Sequence, residues 1–232
     1  MRIFNFSGGK TSAYMAINYY KPGDLVIFCD TGREHIKTYK FISDFEKNEN
    51  IPVIKLKYNG GFEQLIKNKK AVPNQFKRFC TIELKVKTCR RFLRSKKIYK
   101  YENFIGFRYD EEIRVKRRKK MWKNVIDRFP LYENKITKND VNNYWNKKNY
   151  TLEIPQILGN CTLCFMKGKN AIISILQSYP NLADEWIKDE NNTGYKYFKD
   201  ISMKQLKEIA INNLFKTNID EIQPAFNCSC TA

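Results

Sequence analysis

The feature that most constrains this chain is a short apolar strand that runs directly into a glycine-rich turn. Residues 2–6 read Arg-Ile-Phe-Asn-Phe and are followed at once by Ser-Gly-Gly-Lys-Thr-Ser at residues 7–12. A strand that turns into a helix through two glycines leaves backbone N–H groups and a helix N-terminus pointing outward, which suits a polyphosphate. The segment therefore predicts a nucleotide-binding loop; the alternative is an ordinary glycine-rich turn.

Two known phosphate-binding loops can be compared with this segment. Gly9-Lys10-Thr11 matches the last three letters of a Walker A motif, which also requires a glycine at the position of residue 4. Phe4 stands there, so the Walker A spacing is not met. Ser-Gly-Gly-Lys-x-Ser after an N-terminal strand instead resembles the PP-loop of ATP pyrophosphatases, which cleave ATP between its α and β phosphates.

Strands and helices are expected to alternate beyond this loop. Residues 25–29 form a continuous apolar run, which is typical of a parallel strand covered on both faces. Residues 34–47 carry apolar side chains at near-helical spacing and precede a short strand at 52–56. The alternation predicts an α/β fold with a parallel twisted sheet and helices on both faces. The other expected elements are a strand at 102–108 and helices at 10–20, 62–69, 82–97, 136–145, 168–178, 181–190 and 203–214.

Polar clusters follow three of the predicted strands, at residues 7–12, 30–34 and 106–111. In open parallel sheets the ligand crevice lies at the carboxyl ends of the strands. We therefore expect the three clusters to meet in one site. The pattern changes near Pro130, which predicts a nucleotide-binding α/β core at residues 1–129 and a helical, cysteine-bearing region at residues 130–232.

The chain is strongly basic, with 43 Lys and Arg against 24 Asp and Glu and a formal net charge of +19. Such an excess is the usual sign of an anionic partner, although codon bias in an AT-rich genome also adds surface lysines. Six of the seven residues at 114–120 are basic. This run predicts an RNA or DNA contact, with Tyr109 and Trp122 available to stack on bases; a solvated loop is the alternative. The candidate nucleic-acid residues are Arg114, Lys116, Arg117, Arg118, Lys119 and Lys120.

Membrane and export signals are not expected in this sequence. No apolar run approaches the roughly 18 residues that span a bilayer, and the N-terminus does not have the shape of a signal peptide. A cytoplasmic location is the resulting expectation. The seven cysteines then argue against a disulfide framework, because cytosolic thiols are kept reduced.

The spacing of the cysteines favours metal binding. Cys161 and Cys164 form a CxxC pair, and Cys228 and Cys230 form a CxC pair near residue 232, so four thiolates match a zinc or a 4Fe–4S site. An alternative set of iron ligands is Cys80, Cys161 and Cys164. A third use is redox or persulfide chemistry, for which Lys77 and Arg78 would favour a thiolate at Cys80. Cys29 and Cys89 are expected to be structural, and His35 to be a cap or a solvated side chain.

An ordered set of motifs carries a wider resemblance. The set comprises the loop at 7–12, Cys-Asp-Thr-Gly-Arg-Glu-His at 29–35, Arg-Phe-Cys-Thr at 78–81, Ile-Gly-Phe-Arg at 105–108 with Asp-Glu at 110–111, and Gly-Asn-Cys-x-x-Cys-Phe at 159–165. Together these motifs resemble the phosphoadenosine phosphosulfate (PAPS) reductase-like proteins of phages and mobile elements. That family lies within the PP-loop, or adenine nucleotide alpha hydrolase-like, superfamily. The resemblance implies a Rossmann-like PP-loop fold.

The resemblance also implies roles for the residues that match. An adenine nucleotide, ATP or PAPS, would be held with Mg²⁺; Lys10 would neutralise the leaving pyrophosphate, Arg108 would contact an anionic group, and Asp110 or Glu111 would hold the metal. Cys80 is a further catalytic candidate, because of its basic neighbours and not because of the resemblance. The nucleotide-binding residues so implied are Ser7, Gly8, Gly9, Lys10, Thr11, Ser12, Asp30, Thr31, Gly32, Gly106 and Arg108.

Two departures from the family pattern bear on the reaction. Thr11 stands where many ATP pyrophosphatases have Asp, and the chain has Cys228-Ser-Cys230 where true reductases have Glu-Cys-Gly-Leu-His. The first expectation is therefore an enzyme that adenylates an acceptor with Mg-ATP. A nucleic acid is the candidate acceptor, and sulfur transfer is the candidate purpose. The alternatives are a sulfonucleotide reductase and a non-catalytic module that binds nucleotide or nucleic acid.

Overall fold

A computed structural model of the chain describes residues 1–118, 122–213 and 218–222. Its centre is a sheet of five parallel strands in the order β3-β2-β1-β4-β5. The strands are β1 Arg2–Asn5, β2 Leu25–Asp30, β3 Val53–Lys57, β4 Tyr101–Phe104 and β5 Val125–Arg128. The predicted α/β fold with a parallel sheet is confirmed. Strand β5 was not among the predicted elements, because four residues with two charges among them carry no strong strand pattern.

Most of the helices lie close to their predicted positions, whereas the short helices at 112–116 and 130–133 were not predicted. They are α1 Lys10–Tyr19, α2 Ile36–Glu49, α3 Gly61–Lys69, α4 Thr88–Ser95, α5 Glu112–Lys116, α6 Pro130–Glu133, α7 Lys138–Trp145, α8 Lys169–Ser178, α9 Asp184–Thr193 and α10 Met203–Asn212. The helix expected at 82–97 is divided into a π-helical segment, Thr81–Lys87, and α4. Helix α7 begins with a capping box, in which Thr137 and Asp140 bond each other's backbone N–H at 3.3 and 2.8 Å.

Helices cover both faces of the sheet. On one face, Phe4 and Phe28 pack with Phe41 of α2 and Trp145 of α7 in one buried apolar cluster. On the other face, Ile3, Ile27 and Cys29 pack against Cys89 and Leu93 of α4. Cys29 and Cys89 are thus buried side chains of the core, as expected. This two-sided covering accounts for the uninterrupted apolar sequence of β2.

A third apolar cluster joins the middle of the chain to its later helices. Phe62 and Leu65 of α3 and Leu84 of the π-helical segment pack with side chains from α8, α9 and α10. Apolar side chains between residues 131 and 152, namely Leu131, Val141, Trp145 and Leu152, belong instead to the cluster around Phe4. Packing therefore crosses the expected boundary at Pro130 in both directions, and the division into regions 1–129 and 130–232 stays a prediction.

A series of hydrogen-bonded polar side chains crosses the sheet from its central strand β1 to its edge strand β5. Asn5 Nδ2 donates to Asn103 Oδ1 at 2.6 Å, and Asn103 Nδ2 donates to Asp127 Oδ1 at 2.7 Å. Arg118 Nε completes the series with a 2.9 Å bond to Asp127 Oδ2. Because buried amides must be satisfied, this series fixes β5 and the adjoining basic segment to the sheet. Among the residues described, no helix combines the length and apolarity needed to cross a membrane.

The burial of Trp145 gives a test of the packing across Pro130. Its ring is 1% exposed, and its Nε1 donates to the carbonyl of Lys10 at 2.9 Å. Trp145→Ala should lower the free energy of unfolding by about 3–5 kcal/mol, because it removes a large core side chain and its hydrogen bond to that carbonyl. Denaturant unfolding measures the effect. Tyr99→Ala, at a 60% exposed position, should change stability by less than about 0.5 kcal/mol.

Candidate active site

The strand order creates a crevice beside β1. This strand pairs with β2 on one side and with β4 on the other, so the chain turns to opposite sides of the sheet after β1 and after β3. A reversal of this kind opens a crevice at the carboxyl ends of the strands, where ligands of open α/β sheets bind. The polar clusters that follow β1, β2 and β4 all lie at this edge, as predicted from the sequence.

The loop after β1 is organised by the hydroxyl of Ser12. Ser12 Oγ accepts from the backbone N–H of Ser7 at 3.1 Å, lies 3.1 Å from Ser7 Oγ, and donates to the carbonyl of Gly9 at 3.0 Å. Helix α1 begins at Lys10, and the first N–H groups of a helix have no acceptor within it. The turn is thereby held in a fixed form, with the first backbone N–H groups of α1 available to an acceptor from outside the helix.

Gly8 is required by the geometry of this loop. Its φ of +74° lies in the left-handed region, and a Cβ added there would be 2.7 Å from Thr38 Cγ2 and 3.3 Å from both Ile42 Cδ1 and Phe28 Cε2. The loop therefore packs its backbone directly on α2. At Gly106 an added Cβ would be 3.7 Å from Ser12 Cα, an ordinary contact, so space alone does not require glycine there.

Arg108 connects the loop after β4 to the loop after β1. Its NH1 donates to Thr11 Oγ1 at 3.2 Å, while Nε and NH2 each donate to the Asp110 carboxylate at 3.1 Å. The NH1 atom also lies 3.4 Å from Glu111 Oε2. Burial opposes ionisation of Asp110, but the hydrogen bond and charge of Arg108 lower its pKa. Asp110 and Glu111 thus hold the guanidinium of Arg108 at the crevice.

Lys10 lies half-buried at the first position of α1 and precedes Thr11, which Arg108 contacts. Partial burial lowers the pKa of Lys10, because the desolvated ammonium is less favoured than in water. A phosphate near this amine would restore its proton, since an anion favours the charged form. Two cationic side chains, Lys10 and Arg108, therefore belong to neighbouring elements of the crevice.

The loop after β2 is only partly open to a ligand. Asp30 Oδ1 accepts from the Gly32 N–H at 2.7 Å and from the Tyr39 hydroxyl at 2.8 Å. Gly32 is exposed, whereas Thr31 is buried and donates from Oγ1 to Glu34 Oε1 at 2.8 Å. Burial raises the pKa of Glu34. Of the residues predicted here, Gly32 faces solvent and Thr31 points into the protein.

Arg33 anchors this loop to the later helices, a role that the sequence analysis did not assign. The guanidinium lies 5.0 Å from the Phe62 ring centre and 4.7 Å from that of Trp186. It also pairs with Glu185 and, at 2.8 Å, with Asp189. In the sequence, the signal for this role is an arginine that follows a buried strand. Its two carboxylate partners lie more than 150 residues further along the chain, so no local pattern indicates them.

The CxxC segment is attached to the same loop. A single β-bridge joins Glu34 to Cys161, and the Thr162 N–H donates to the Arg33 carbonyl at 2.9 Å. The Cys161 Sγ lies 3.3 Å from Thr31 Oγ1. Buried Lys167 donates from Nζ to the carbonyls of Cys161 and Thr162 at 2.8 and 2.7 Å. The cysteine pair is therefore placed beside the loop after β2, at the carboxyl edge of the sheet.

Metal ligation was predicted for two sets of cysteines. In residues 1–118, 122–213 and 218–222, no three His, Cys, Asp or Glu side chains come together in a way that could hold a metal ion. The alternative set of Cys80, Cys161 and Cys164 consists of described residues only and is not assembled as a metal site. The four-cysteine set includes Cys228 and Cys230, which lie outside the described residues, so that set stays a prediction.

Of the four basic residues of the run that the structure describes, three pair with carboxylates. Arg114 pairs with Glu111 and lies 4.2 Å from the ring centre of Phe107. Lys116 pairs with Glu112 at 2.9 Å, Arg118 pairs with Asp127, and Arg117 is exposed. Lys119 and Lys120 lie outside the described residues. The nucleic-acid role of this run stays a prediction.

Comparison with known proteins identifies the family. The family model described as "Phosphoadenosine phosphosulfate reductase domain" matches residues 2–153, which include all three loops of the crevice. The chain belongs to this family. This PAPS reductase-like chain has the strand–loop–helix start of the PP-loop superfamily, and the resemblance inferred from its motifs is confirmed.

Two relatives and one solved structure illustrate the extent of similarity. An uncharacterized Methanocaldococcus jannaschii protein, MJ0973, is 27% identical over 90% of this chain and 54% of its own length. An uncharacterized nin region protein of Escherichia phage lambda, ORF290, is 29% identical over 74% of this chain and 68% of its own. The chain thus spans about half of the archaeal relative. A Candida auris PAPS reductase in its phosphate complex aligns with a TM-score of 0.44 and 14% identity, over 63% of this chain and 72% of that one.

The contact at Gly8 generates a prediction for the loop. Gly8→Ala should lower the free energy of unfolding by more than about 1–2 kcal/mol, because a left-handed φ is costly for alanine and its Cβ meets Thr38. Gly23→Ala is a matched control, since Gly23 has a φ of +94° but nothing within 4 Å of the added Cβ. Thermal and urea unfolding would show an equal loss in both variants if crowding at Thr38 had no effect.

Proposed function

We propose that this PAPS reductase-like chain is a PP-loop enzyme that binds an adenine nucleotide in the crevice between the β1 and β4 loops. The observation that carries the proposal is the Arg108 NH1–Thr11 Oγ1 contact at 3.2 Å. It brings a guanidinium held by two carboxylates to the loop that contains Lys10. Arginine and lysine charges around a turn of backbone N–H groups are suited to a polyphosphate.

The proposed roles follow from position. The N–H groups of the Ser7–Ser12 loop and Lys10 bind the β and γ phosphates, and Arg108 binds the α-phosphate. Asp110 and Glu111 position Arg108, because their carboxylate oxygens accept from Arg108 and Arg114. Asp30, Gly32 and Gly106 border the nucleoside side of the crevice, with Thr31 supporting them from beneath.

Mg²⁺ is proposed to enter with ATP. The carboxylate of Asp110, 39% exposed, is the candidate protein ligand, although its oxygens already accept from Arg108 and from the Lys138 N–H. Hard cations of this kind are usually held by one or two carboxylates together with substrate phosphates. When bound, Mg²⁺ would neutralise phosphate charge in the crevice.

The favoured reaction is adenylation of an acceptor. An acceptor oxygen forms a bond to the α-phosphorus of ATP, the bond from that phosphorus to the bridging oxygen breaks, and pyrophosphate leaves. Lys10 and the loop dipoles stabilise the charge that develops on the leaving group. A second nucleophile, such as a sulfur atom handled by Cys80 or Cys161, would then displace AMP. A nucleic acid is a candidate acceptor because of the net charge of +19.

Sulfonucleotide reduction is a second candidate, favoured by the family match over residues 2–153. A thiolate would attack the sulfur of PAPS, releasing adenosine 3′,5′-bisphosphate and leaving a thiosulfonate on the protein. A second thiol would then release sulfite and form a disulfide. The placement of the CxxC pair beside the β2 loop supports this alternative.

The two reactions are separated by their products. The protein would be incubated with Mg-ATP, with and without RNA or DNA, and separately with PAPS and a dithiol. Acceptor-dependent pyrophosphate release supports adenylation, whereas sulfite release supports reduction. Tight nucleotide binding with neither product would indicate a non-catalytic module. Metal content and the absorbance spectrum of anaerobically purified protein would test the zinc and 4Fe–4S predictions.

Substitution of the two crevice cations tests the site itself. Lys10→Gln and Arg108→Gln should each lower turnover by about 100-fold or more, because each removes a charge that stabilises the transition state. Lys55→Gln is the control, because it also removes one positive charge. Lys55 lies on β3, and its Nζ is 2.6 Å from Glu46 of α2. Steady-state kinetics with ATP and with PAPS would be compared. Turnover equal to that of the Lys55 variant would refute the proposed site.

The lowered pKa of Lys10 gives a pH dependence. As the pH is raised, nucleotide affinity should begin to fall below about pH 10.4, the usual pKa of lysine. The reason is that the lowered pKa of Lys10 makes the free protein lose this proton at a lower pH than an ordinary lysine would. In Lys10→Arg this decline should disappear or move upward, since a guanidinium stays protonated. Titration calorimetry with ATP across the alkaline range measures the change. An identical decline in both proteins would assign it to another group.

A further inference from the structure

Three cationic side chains at the protein surface lie close to one buried carboxylate on the π-helical segment. Glu83 is 8% exposed, and its Oε1 accepts from Lys69 Nζ at 3.1 Å and from Lys87 Nζ at 2.9 Å. Arg91 NH2 lies 3.9 Å from Oε2. The three cationic side chains are 41%, 51% and 63% exposed. One carboxylate cannot neutralise three cations, so an excess of two positive charges faces solvent.

This cluster differs from the basic run at 114–120. In that run, Arg114, Lys116 and Arg118 each pair with a different carboxylate. Around Glu83, by contrast, three cationic side chains share a single carboxylate. Burial alone would raise the pKa of Glu83, but hydrogen bonds from Lys87 and Lys69 lower it, so the carboxylate stays ionised. Glu83 thereby restrains three long side chains close together, which reduces the ordering cost of binding an anion.

Aromatic side chains accompany these cations. The guanidinium of Arg91 lies 5.9 Å from the ring centre of Tyr58. Phe76 is 80% exposed in the loop that connects the helix of Lys69 to the helix of Glu83. Asn74 Oδ1 accepts from the backbone N–H of Phe76 at 3.0 Å and from that of Lys77 at 2.9 Å, which fixes the turn. An exposed phenylalanine in a fixed turn is available for stacking.

We propose that the surface formed by Lys69, Lys87, Arg91, Tyr58 and Phe76 binds single-stranded nucleic acid. The phosphates of the strand contact the three cations, and an unpaired base stacks on the exposed ring of Phe76. Cations interleaved with aromatic side chains are the usual composition of single-strand binding surfaces. An acidic protein would use the cations but would have no need of the exposed Phe76 ring. This surface requires neither ATP nor turnover, so it is independent of the proposed reaction.

The main test compares two variants of equal charge. Lys69→Gln/Lys87→Gln/Arg91→Gln removes the cations of the surface. Lys40→Gln/Lys188→Gln/Lys207→Gln removes three lysines that are paired with Asp44, Glu63 and Asp184. Fluorescence anisotropy with labelled single-stranded RNA and DNA, without ATP, measures affinity over a range of salt. The surface variant should bind more than about tenfold more weakly, with a salt slope smaller by about 2, because each lost phosphate contact removes roughly 0.7 from the slope.

Two further measurements do not depend on the triple variant. Phe76→Ala should weaken binding at least about fivefold with an unchanged salt slope, because stacking is not ionic. In the unaltered protein, bound oligonucleotide should protect Lys69 and Lys87, but not Lys40, from acetylation. The proposal is wrong if both triple variants lose affinity equally, if polyglutamate competes as well as the oligonucleotide, or if no binding occurs at low salt. Preference for the RNA or the DNA probe identifies the natural strand.

Discussion

The parallel pairing of β1 with both of its neighbours is the constraint on which the rest of the structure depends. β1 has backbone partners on both edges, with β2 and with β4, and its Ile3 and Phe4 are fully buried on opposite faces. Because the three strands run in the same direction, the loops that follow them must emerge at one edge. The glycine-rich loop and Arg108 are separated by almost 100 residues, yet this pairing brings Thr11 and Arg108 into contact.

A second link joins the loop after β2 to the cysteine pair. Arg33 is buried between Phe62 and Trp186 and pairs with Asp189, so the β2 loop is attached to the later helices. The bridge between Glu34 and Cys161 belongs to the same attachment. A buried charge is costly without a partner, which explains why a single arginine recruits both aromatic rings and carboxylates. Under either proposed reaction, this arrangement holds thiols beside the nucleotide.

Carboxylates organise cations at two places in this basic protein, with different results. Asp110 and Glu111 bind Arg108 and Arg114 closely and direct one guanidinium to the crevice. Glu83 is shared by Lys69, Lys87 and Arg91, which remain exposed. Two carboxylates balance the two arginines at the first place, whereas one carboxylate faces three cations at the second. The second place therefore keeps a net positive charge. Net charge by itself did not make that distinction.

The α/β class, the positions of most helices and strands, and the glycine-rich turn after β1 all follow from the sequence alone. These features depend on local patterns, namely apolar runs, helical spacing and the glycines at residues 8 and 9. Strand β5 and the π-helical segment were not predicted because their local signals are short or resemble an ordinary helix. Tertiary structure decided the partners of Arg33, the inward orientation of Thr31, the position of the CxxC pair and the sharing of Glu83. Each of these depends on which distant side chains the packed layers bring within a few ångströms, and no local pattern in the chain specifies that distance.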